Sequence, residues 1–132
     1  MTFKVYAFPK ALRLHHSIDF RRAFDEGQKV VGGPVVLYLR PRQPGESGPK
    51  DGGGRVGLVV SRRVGNAVVR NRVKRHLREA YRQLRPELEQ FAALWSTDLV
   101  IVARGSAAGS DSETIATSLQ QGLKRLKRQL EP

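Results

Sequence analysis

The residues best suited to do chemistry lie together between positions 62 and 85, where the sequence reads RRVGNAVVRNRVKRHLREAYRQLR. This segment holds nine Lys and Arg residues and a single acid, Glu79. Like charges at neighbouring positions of a helix repel, whereas mixed signs stabilise it. The concentration of positive charge therefore costs folding stability, which a bound polyanion would restore. We expect the segment to bind a polyanion.

The composition of the whole chain has the same bias. Its 132 residues include 24 Lys and Arg against 12 Asp and Glu, a net charge of +12, and 17 of the 24 are Arg. Because the guanidinium group pairs with two phosphate oxygens and stacks on bases, this bias favours nucleic acid over a lipid surface. The length predicts one domain, residues 1–132. The lack of any membrane-length apolar run predicts a cytoplasmic protein with no membrane partner.

Groups for catalysis or metal binding are sparse. The chain has no Cys, which excludes disulfides, thiolate nucleophiles and Cys-ligated zinc. His15 and His16 lie in an N-terminal arm and His76 in the basic segment, and none has an Asp or Glu partner at ligand spacing. We therefore expect no catalytic residue, no metal site and no cofactor on this chain.

The hydrophobic pattern predicts three helices and about four strands in the order αβββαβα, an α+β sandwich. The first helix spans 18–26, capped by Ser17 and ended by Gly27, and a short strand lies near Val30 and Val31. The next strands span 35–39, 56–61 and 99–103, the last of them central. In the second of these four strands, Val35, Leu37 and Leu39 share one face, and Val36, Tyr38 and Arg40 share the other.

The remaining segments complete this plan. Residues 1–16 are expected to form a loose arm, and the Pro/Gly-rich residues 41–54 a mobile, flexible hairpin loop between two strands. The long helix is predicted from Asn66 to Arg85, because Pro86 cannot continue it without losing a hydrogen bond. A capping box from Ser110 to Glu113 opens the last helix. Its apolar stripe consists of Ile115, Leu119, Leu123, Leu126 and Leu130.

On the long helix, a basic stripe lies opposite an apolar ridge. At 100° per residue, Asn71, Arg75, Arg78 and Arg82 fall within about 60° of one another. Arg70, Arg72 and Lys74 flank the stripe, and Val69, Val73, Ala80 and Leu84 lie nearly opposite it. A recognition helix for DNA is disfavoured because a strand precedes it, and a membrane helix because its apolar face is sparse. A ribosomal-protein-like RNA anchor stays open.

The run from 55 to 82, RVGLVVSRRVGNAVVRNRVKRHLREAYR, resembles the signature of the bacterial ribonuclease P protein component. The family's central arginine-asparagine-arginine motif corresponds to Arg70-Asn71-Arg72. The segments IDFRRAF, VVLYL and DLVIVAR and the closing amphipathic helix follow in the family's order, so that the resemblance covers nearly the whole chain.

The resemblance implies the protein subunit of a ribonucleoprotein that removes the 5′ leader from precursor tRNA. Catalysis and the Mg²⁺ ions would reside in the RNA subunit, so the expected partners are that RNA and precursor tRNA, with no obligate protein partner. The implied fold is ribosomal protein S5 domain 2-like, with the long helix in a left-handed crossover between parallel strands. General rules favour the opposite hand for such a crossover. The alternative is a basic ribosomal or RNA-chaperone protein with no role in tRNA cleavage.

The resemblance also implies two RNA-binding surfaces. The RNA subunit would contact Arg62, Arg63, Arg70, Asn71, Arg72, Lys74, Arg75, Arg78 and Arg82. The leader would lie in a cleft lined by Phe20, Phe24, Val36 and Tyr38.

The residues themselves qualify this assignment to the cleft. Phe20 and Phe24, one helical turn apart, would by default be core residues. Tyr38 is the better base-stacking residue, because it shares its face with the cation Arg40. Val59 replaces a small hydroxyl residue usual in the family, and His76 replaces an aliphatic one.

Overall fold

The elements follow one another in the predicted order αβββαβα. The computed structural model describes residues 13–14, 17–43, 45–46, 54–88 and 97–130. The helices are α1 (Ser17–Glu26), α2 (Ala67–Leu88) and α3 (Ser112–Leu130), and the strands are β1 (Gln28–Gly32), β2 (Val35–Pro41), β3 (Arg55–Val59) and β4 (Thr97–Ala103). A short 3-10 helix, Gly105–Gly109, which the sequence did not predict, lies between β4 and α3.

The four strands form one mixed sheet in the order β1-β2-β4-β3. β1 and β2 form an antiparallel hairpin whose turn contains Gly33 at φ +54°, a conformation that favours glycine. β4 is central, as predicted: it pairs antiparallel with β2 and parallel with β3, and α2 connects the two parallel strands. The predicted hairpin between β2 and β3 is wrong, because β4 lies between them. Most of the intervening 41–54 segment lies outside the described residues.

One face of the sheet carries the main core. Val35, Leu37 and Leu39 of β2 are buried there, as their alternation predicts, and they belong to one cluster with side chains of α2 and α3. From α3 come Ile115, Leu119, Leu123 and Leu126, four of the predicted stripe; no side-chain contact is described for Leu130. Full burial of each such aliphatic side chain stabilises the fold by about 1.5–3 kcal/mol. This burial holds α2 and α3 against one face.

The ends of the helices agree with the predictions in part. Asn66 caps α2, since its Oδ1 accepts the Val69 N–H at 3.0 Å. The predicted end before Pro86 is wrong: the helix continues to Leu88, because proline near a C-terminus removes one hydrogen bond while its φ remains helical.

The predicted capping box of α3 is also wrong. Asp111, not Ser110, accepts the Thr114 N–H, at 2.7 Å, while the Ser110 hydroxyl donates to the Ser106 carbonyl at 2.9 Å. No helix in the described part of the chain is long and apolar enough to cross a membrane.

Candidate nucleic-acid interface

The sheet face opposite the core presents three rows of side chains, fixed by the strand register. Across β2, β4 and β3 these rows are Arg40-Asp98-Arg55, Tyr38-Val100-Gly57 and Val36-Val102-Val59. α1 packs over the first two rows. The third row, which we call the open row, consists of partly exposed valines. The sheet therefore offers an apolar floor beside α1.

Ion pairs hold α1 at both ends. Asp19, near its start, lies 3.6 Å from Arg55, and Glu26, at its end, lies 3.5 Å from Arg40. Between them Ala23 is fully buried, and the ring of Phe20 lies on Gly57. A Cβ atom at position 57 would come within 2.4 Å of this ring, so the close approach of helix and sheet requires glycine there.

A buried ion-pair network underlies these contacts. Asp98, only 1% exposed, accepts hydrogen bonds from Arg55 Nε and Nη2, both at 2.9 Å, and from Arg42 at 3.0 Å. Arg40 binds Glu46 through two hydrogen bonds of 2.7 and 2.8 Å. The hydrogen bond from Arg40 lowers the pKa of Glu46 to about 2, and the hydrogen bond to Asp98 raises the pKa of Arg55. For the more deeply buried pair of Arg55 and Asp98, removing one partner costs about 3–5 kcal/mol.

This network changes the expected role of Arg40. The sequence places it beside Tyr38 as a cation for RNA, but its side chain is buried and paired with two glutamates. The cation next to Tyr38 is instead Lys29, whose Nζ lies 5.9 Å from the ring centroid. Lys29 is the cross-strand partner of Tyr38 in the β1-β2 hairpin. The sequence could have indicated this position once the Gly33-Pro34 turn was recognised as the hairpin turn.

The predicted leader residues divide into two groups. Phe24 and Tyr38 meet edge to face, with ring centroids 4.9 Å apart, and Phe24 is 41% exposed. Val36 continues this surface in the open row, beside the exposed Val31 of β1. Phe20, in contrast, packs in a small cluster with Leu14, whose N–H donates to the Val56 carbonyl. The structure therefore brings Phe24, Tyr38 and Val36 to an accessible surface and gives Phe20 a mainly supporting place.

An open groove of about 600 Å³ continues this surface between α1 and the start of α2. Phe20, Arg21 and Phe24 line it on α1, and Val59 lines it on β3. Lys74 of α2 also lines it. Val59, which stands where the family usually has a small hydroxyl residue, makes this part of the wall apolar. Arg21 is a cation that the sequence argument missed.

The predicted RNA-subunit residues lie on and before α2. Its buried ridge consists of Val73, Leu77, Ala80 and Tyr81, with Val69 and Leu84 partly buried beside it, so the predicted ridge is confirmed and extended by two residues. Of the predicted residues, Arg62, Arg63, Asn71, Arg72 and Arg75 are exposed, and Arg70, Lys74, Arg78 and Arg82 are half-buried. We call these nine residues the basic face.

Some members of the basic face already have protein partners. Arg72 donates to the Ala108 carbonyl at 2.7 Å, and Arg82 lies 3.3 Å from Glu79. The second of these pairs is exposed and contributes at most about 1 kcal/mol. A phosphate can therefore displace Glu79 from Arg82 at little cost in free energy.

A model of the ribonuclease P family matches residues 8–127. The chain belongs to the ribonuclease P protein family. It is 38% identical to the ribonuclease P protein component of Desulfovibrio desulfuricans, over 95% of this chain and 90% of that protein. It is 39% identical to that of Citrifermentans bemidjiense, over 92% of this chain and 93% of that protein.

Two solved structures of ribonuclease P proteins are similar to the structure of this chain. The Staphylococcus aureus protein superposes with a TM-score of 0.73 and 29% identity, covering 89% of this chain and 97% of that one. The Thermotoga maritima protein, solved in complex with 1-(4-fluorophenyl)-2-thiourea, has a TM-score of 0.69 and 28% identity, covering 86% of this chain and 98% of that one. The α+β fold expected from the resemblance, with three helices and a four-stranded mixed sheet, is thus confirmed.

Membership in the ribonuclease P family assigns the function. The chain is a ribonuclease P protein subunit that acts in tRNA 5′ maturation. The alternative of a ribosomal or RNA-chaperone protein is not favoured. Within the described ranges, no group of three His, Asp or Glu side chains could hold a metal ion.

Proposed function

We propose that this chain binds the catalytic RNA subunit of ribonuclease P through the basic face and the 5′ leader of precursor tRNA through the cleft beside α1. In this way it promotes endonucleolytic removal of the leader. The observation that supports the proposal is the presence of two chemically different surfaces, one on the helix that covers the core face of the sheet and one on the opposite face of the sheet. The basic face on α2 is rich in guanidinium groups, whereas the cleft presents Phe24, Tyr38 and a valine floor with Lys29 at its side.

The basic face suits a folded RNA. Phosphate neutralisation by Lys and Arg releases counterions and supplies most of the affinity, without dependence on sequence. The buried ridge of α2 holds the helix rigidly, so its cations keep a fixed spacing. A rigid row of charges favours a structured RNA whose phosphates are themselves fixed.

The cleft suits single-stranded RNA. Phe24 is exposed, Tyr38 is half-buried beside it and the floor is apolar, so unpaired bases can stack there with a cation close to the strand. Each stacked base contributes about 1–3 kcal/mol with little sequence preference. Such tolerance is what a protein needs if it accepts leaders of many sequences.

Hydrolysis and its Mg²⁺ ions are assigned to the RNA subunit in this proposal. The carboxylates buried beside the cleft do not suit acid–base work, because Asp98 is bound by two arginines and Glu46 by a third. On this chain, the residues of the two surfaces bind and position RNA. The reaction would take place in the cytoplasm.

Reconstitution tests the proposal. At low Mg²⁺, the chain should stimulate cleavage of precursor tRNA by the RNA subunit. Tyr38→Ala should weaken binding of a leader-bearing precursor by about tenfold, from the loss of one stacked base, and leave mature tRNA unaffected. Equal losses for both tRNAs would refute the leader role.

A second pair of variants tests the basic face. Arg75→Ala combined with Arg78→Ala should weaken assembly with the RNA subunit and reduce its salt dependence. Lys124→Ala combined with Arg128→Ala removes the same charge from exposed positions of α3 and serves as the matched control. Equal effects of the two pairs would show that net charge, not the basic face, governs assembly.

A further inference from the structure

A second cavity, of about 440 Å³, lies between α2 and the segment that leads into α3. Arg72 and His76, one turn apart on α2, form one wall, and Ser110, Asp111 and Ser112 contribute to the other. The volume is in the range of roughly 300–1,000 Å³ that is typical of small-ligand sites. The cavity adjoins the basic face, since Arg72 belongs to both.

The α2 wall supplies hydrogen-bond donors and an unused polar atom. Arg72 Nη2 donates to the Ala108 carbonyl at 2.7 Å, which fixes the guanidinium group and leaves its other N–H groups for a ligand. Nδ1 of His76 is buried and has no hydrogen-bond partner in the part of the chain that the structure describes. Because this atom is shielded as the ring stands, a ligand can bond to it only if the imidazole turns, and the free-energy cost of leaving the atom unpartnered favours that turn.

The opposite wall supplies a fixed acceptor. Oδ1 of Asp111 accepts the Thr114 N–H at 2.7 Å, which holds the carboxylate in place at the start of α3. The hydrogen bond with Thr114 also lowers the pKa of Asp111, which further favours the carboxylate form. A phosphate in this cavity would meet that negative charge. A nucleobase is neutral and carries donors beside acceptors on one edge, so its N–H groups can bond to the carboxylate without charge repulsion.

We infer that this cavity holds the base of one unpaired guanine nucleotide of RNA. The neighbouring N1–H and N2–H groups of guanine give a carboxylate two donors. Its O6 and N7 atoms accept from arginine, the commonest specific contact to this base. Proteins that recognise RNA by sequence read unpaired bases in this way. The source of the nucleotide is the RNA subunit; this part rests on the proposed function, because the cavity borders the face assigned to that RNA.

Chemical probing of the assembled holoenzyme tests the inference. The RNA subunit is treated, free and bound, with a glyoxal reagent that modifies N1 and N2 of unpaired guanines. The chain should protect one guanine, and Asp111→Asn should restore its reactivity and weaken assembly on the order of tenfold. Asparagine is an equally good N-cap, so the variant keeps α3 folded, which circular dichroism verifies. His76→Ala should restore the reactivity of the same guanine.

The outcomes separate the cavity from the basic face. Identical protection with wild type and Asp111→Asn, while the Arg75 and Arg78 pair of substitutions still weakens assembly, would overturn the guanine site and leave the proposed function standing. A wild-type complex in which no guanine is protected would also overturn it. Failure of the wild-type chain to bind the RNA subunit would overturn the proposed function and, with it, the source of the nucleotide.

Discussion

The contact between Gly57 and Phe20 gives a prediction that links packing to the cleft. In Gly57→Ala the new methyl carbon would lie 2.4 and 2.6 Å from Cε1 and Cζ of the Phe20 ring and 3.2 Å from Leu14 Cδ1. Non-bonded carbons prefer about 3.5–4.0 Å, so the ring has to move by more than about 1 Å. Because Phe20 lines the open groove, we expect its ring to turn into the groove.

The magnitude follows from two opposing terms. Overpacking of this kind costs about 1–3 kcal/mol. Replacing glycine by alanine stabilises the folded state by about 0.4–1 kcal/mol, because it restricts the conformations of the unfolded chain. The net expectation is a loss of about 1–2 kcal/mol, or about 4–8 °C in melting temperature for a domain of this size. The displaced ring should also weaken binding of a leader-bearing precursor while binding of the RNA subunit is unchanged.

Thermal and urea unfolding of four variants, Gly57→Ala, Phe20→Leu, their combination and Gly105→Ala, tests this reasoning. Gly57→Ala should be destabilised, and combination with Phe20→Leu should cost less than the sum of the two single changes by about 0.5 kcal/mol or more, since the smaller side chain makes room. Gly105→Ala is the matched control, because nothing lies within 4 Å of a Cβ atom there. A Gly57→Ala variant that melts with the wild type, or strictly additive effects, would refute the proposed contact.

Three further predictions concern single features of the fold. Asn66→Ala should destabilise the chain by about 1 kcal/mol in urea unfolding, whereas Asn66→Asp keeps the α2 cap; equal stabilities would contradict the cap. Glu46→Gln should lower the free energy of unfolding at pH 7. The difference from the wild type should disappear between pH 4.5 and about 2, because the stabilisation from the lowered pKa of Glu46 is present above the ordinary pKa of the group and is lost when the carboxylate is protonated. A difference that does not change with pH would exclude this origin. Added phosphate should raise the melting temperature, because the net charge of +12 repels itself, and a constant melting temperature would count against this.

The sequence predicts the elements well because each is set by a local pattern. Alternation identifies β2 and its buried face, and the apolar stripe identifies α3. Strand pairing is not set by a local pattern. The Pro/Gly-rich segment after β2 looks like a hairpin loop that leads to β3, but β4, which begins some 40 residues after that segment, pairs with β2 instead. Neither this insertion nor the hand of the α2 crossover is encoded in any short segment. The expectation of a left-handed crossover comes from the family resemblance alone.

The site shows the same division between local and non-local information. The basic face follows from helical spacing, and Tyr38 follows from strand alternation. Alternation, however, identifies the face on which a side chain lies and not its partners. Arg40 therefore appeared to be a free cation, although Glu26 and Glu46 neutralise it, and Lys29 was missed because it becomes a neighbour of Tyr38 only in the folded hairpin.

The two proposed RNA surfaces can work together because of the sheet between them. α2 packs its apolar ridge on one face of the sheet and turns its cations away from it, while α1 covers only part of the other face. RNA bound to one surface therefore does not displace RNA bound to the other. In the described part of the chain they approach each other at β3, the edge strand, where Lys74 of the basic face also lines the groove beside α1. In the proposed arrangement, a leader strand that leaves the cleft there would meet Lys74 of the basic face, so substrate and catalytic RNA would come close to each other at this residue.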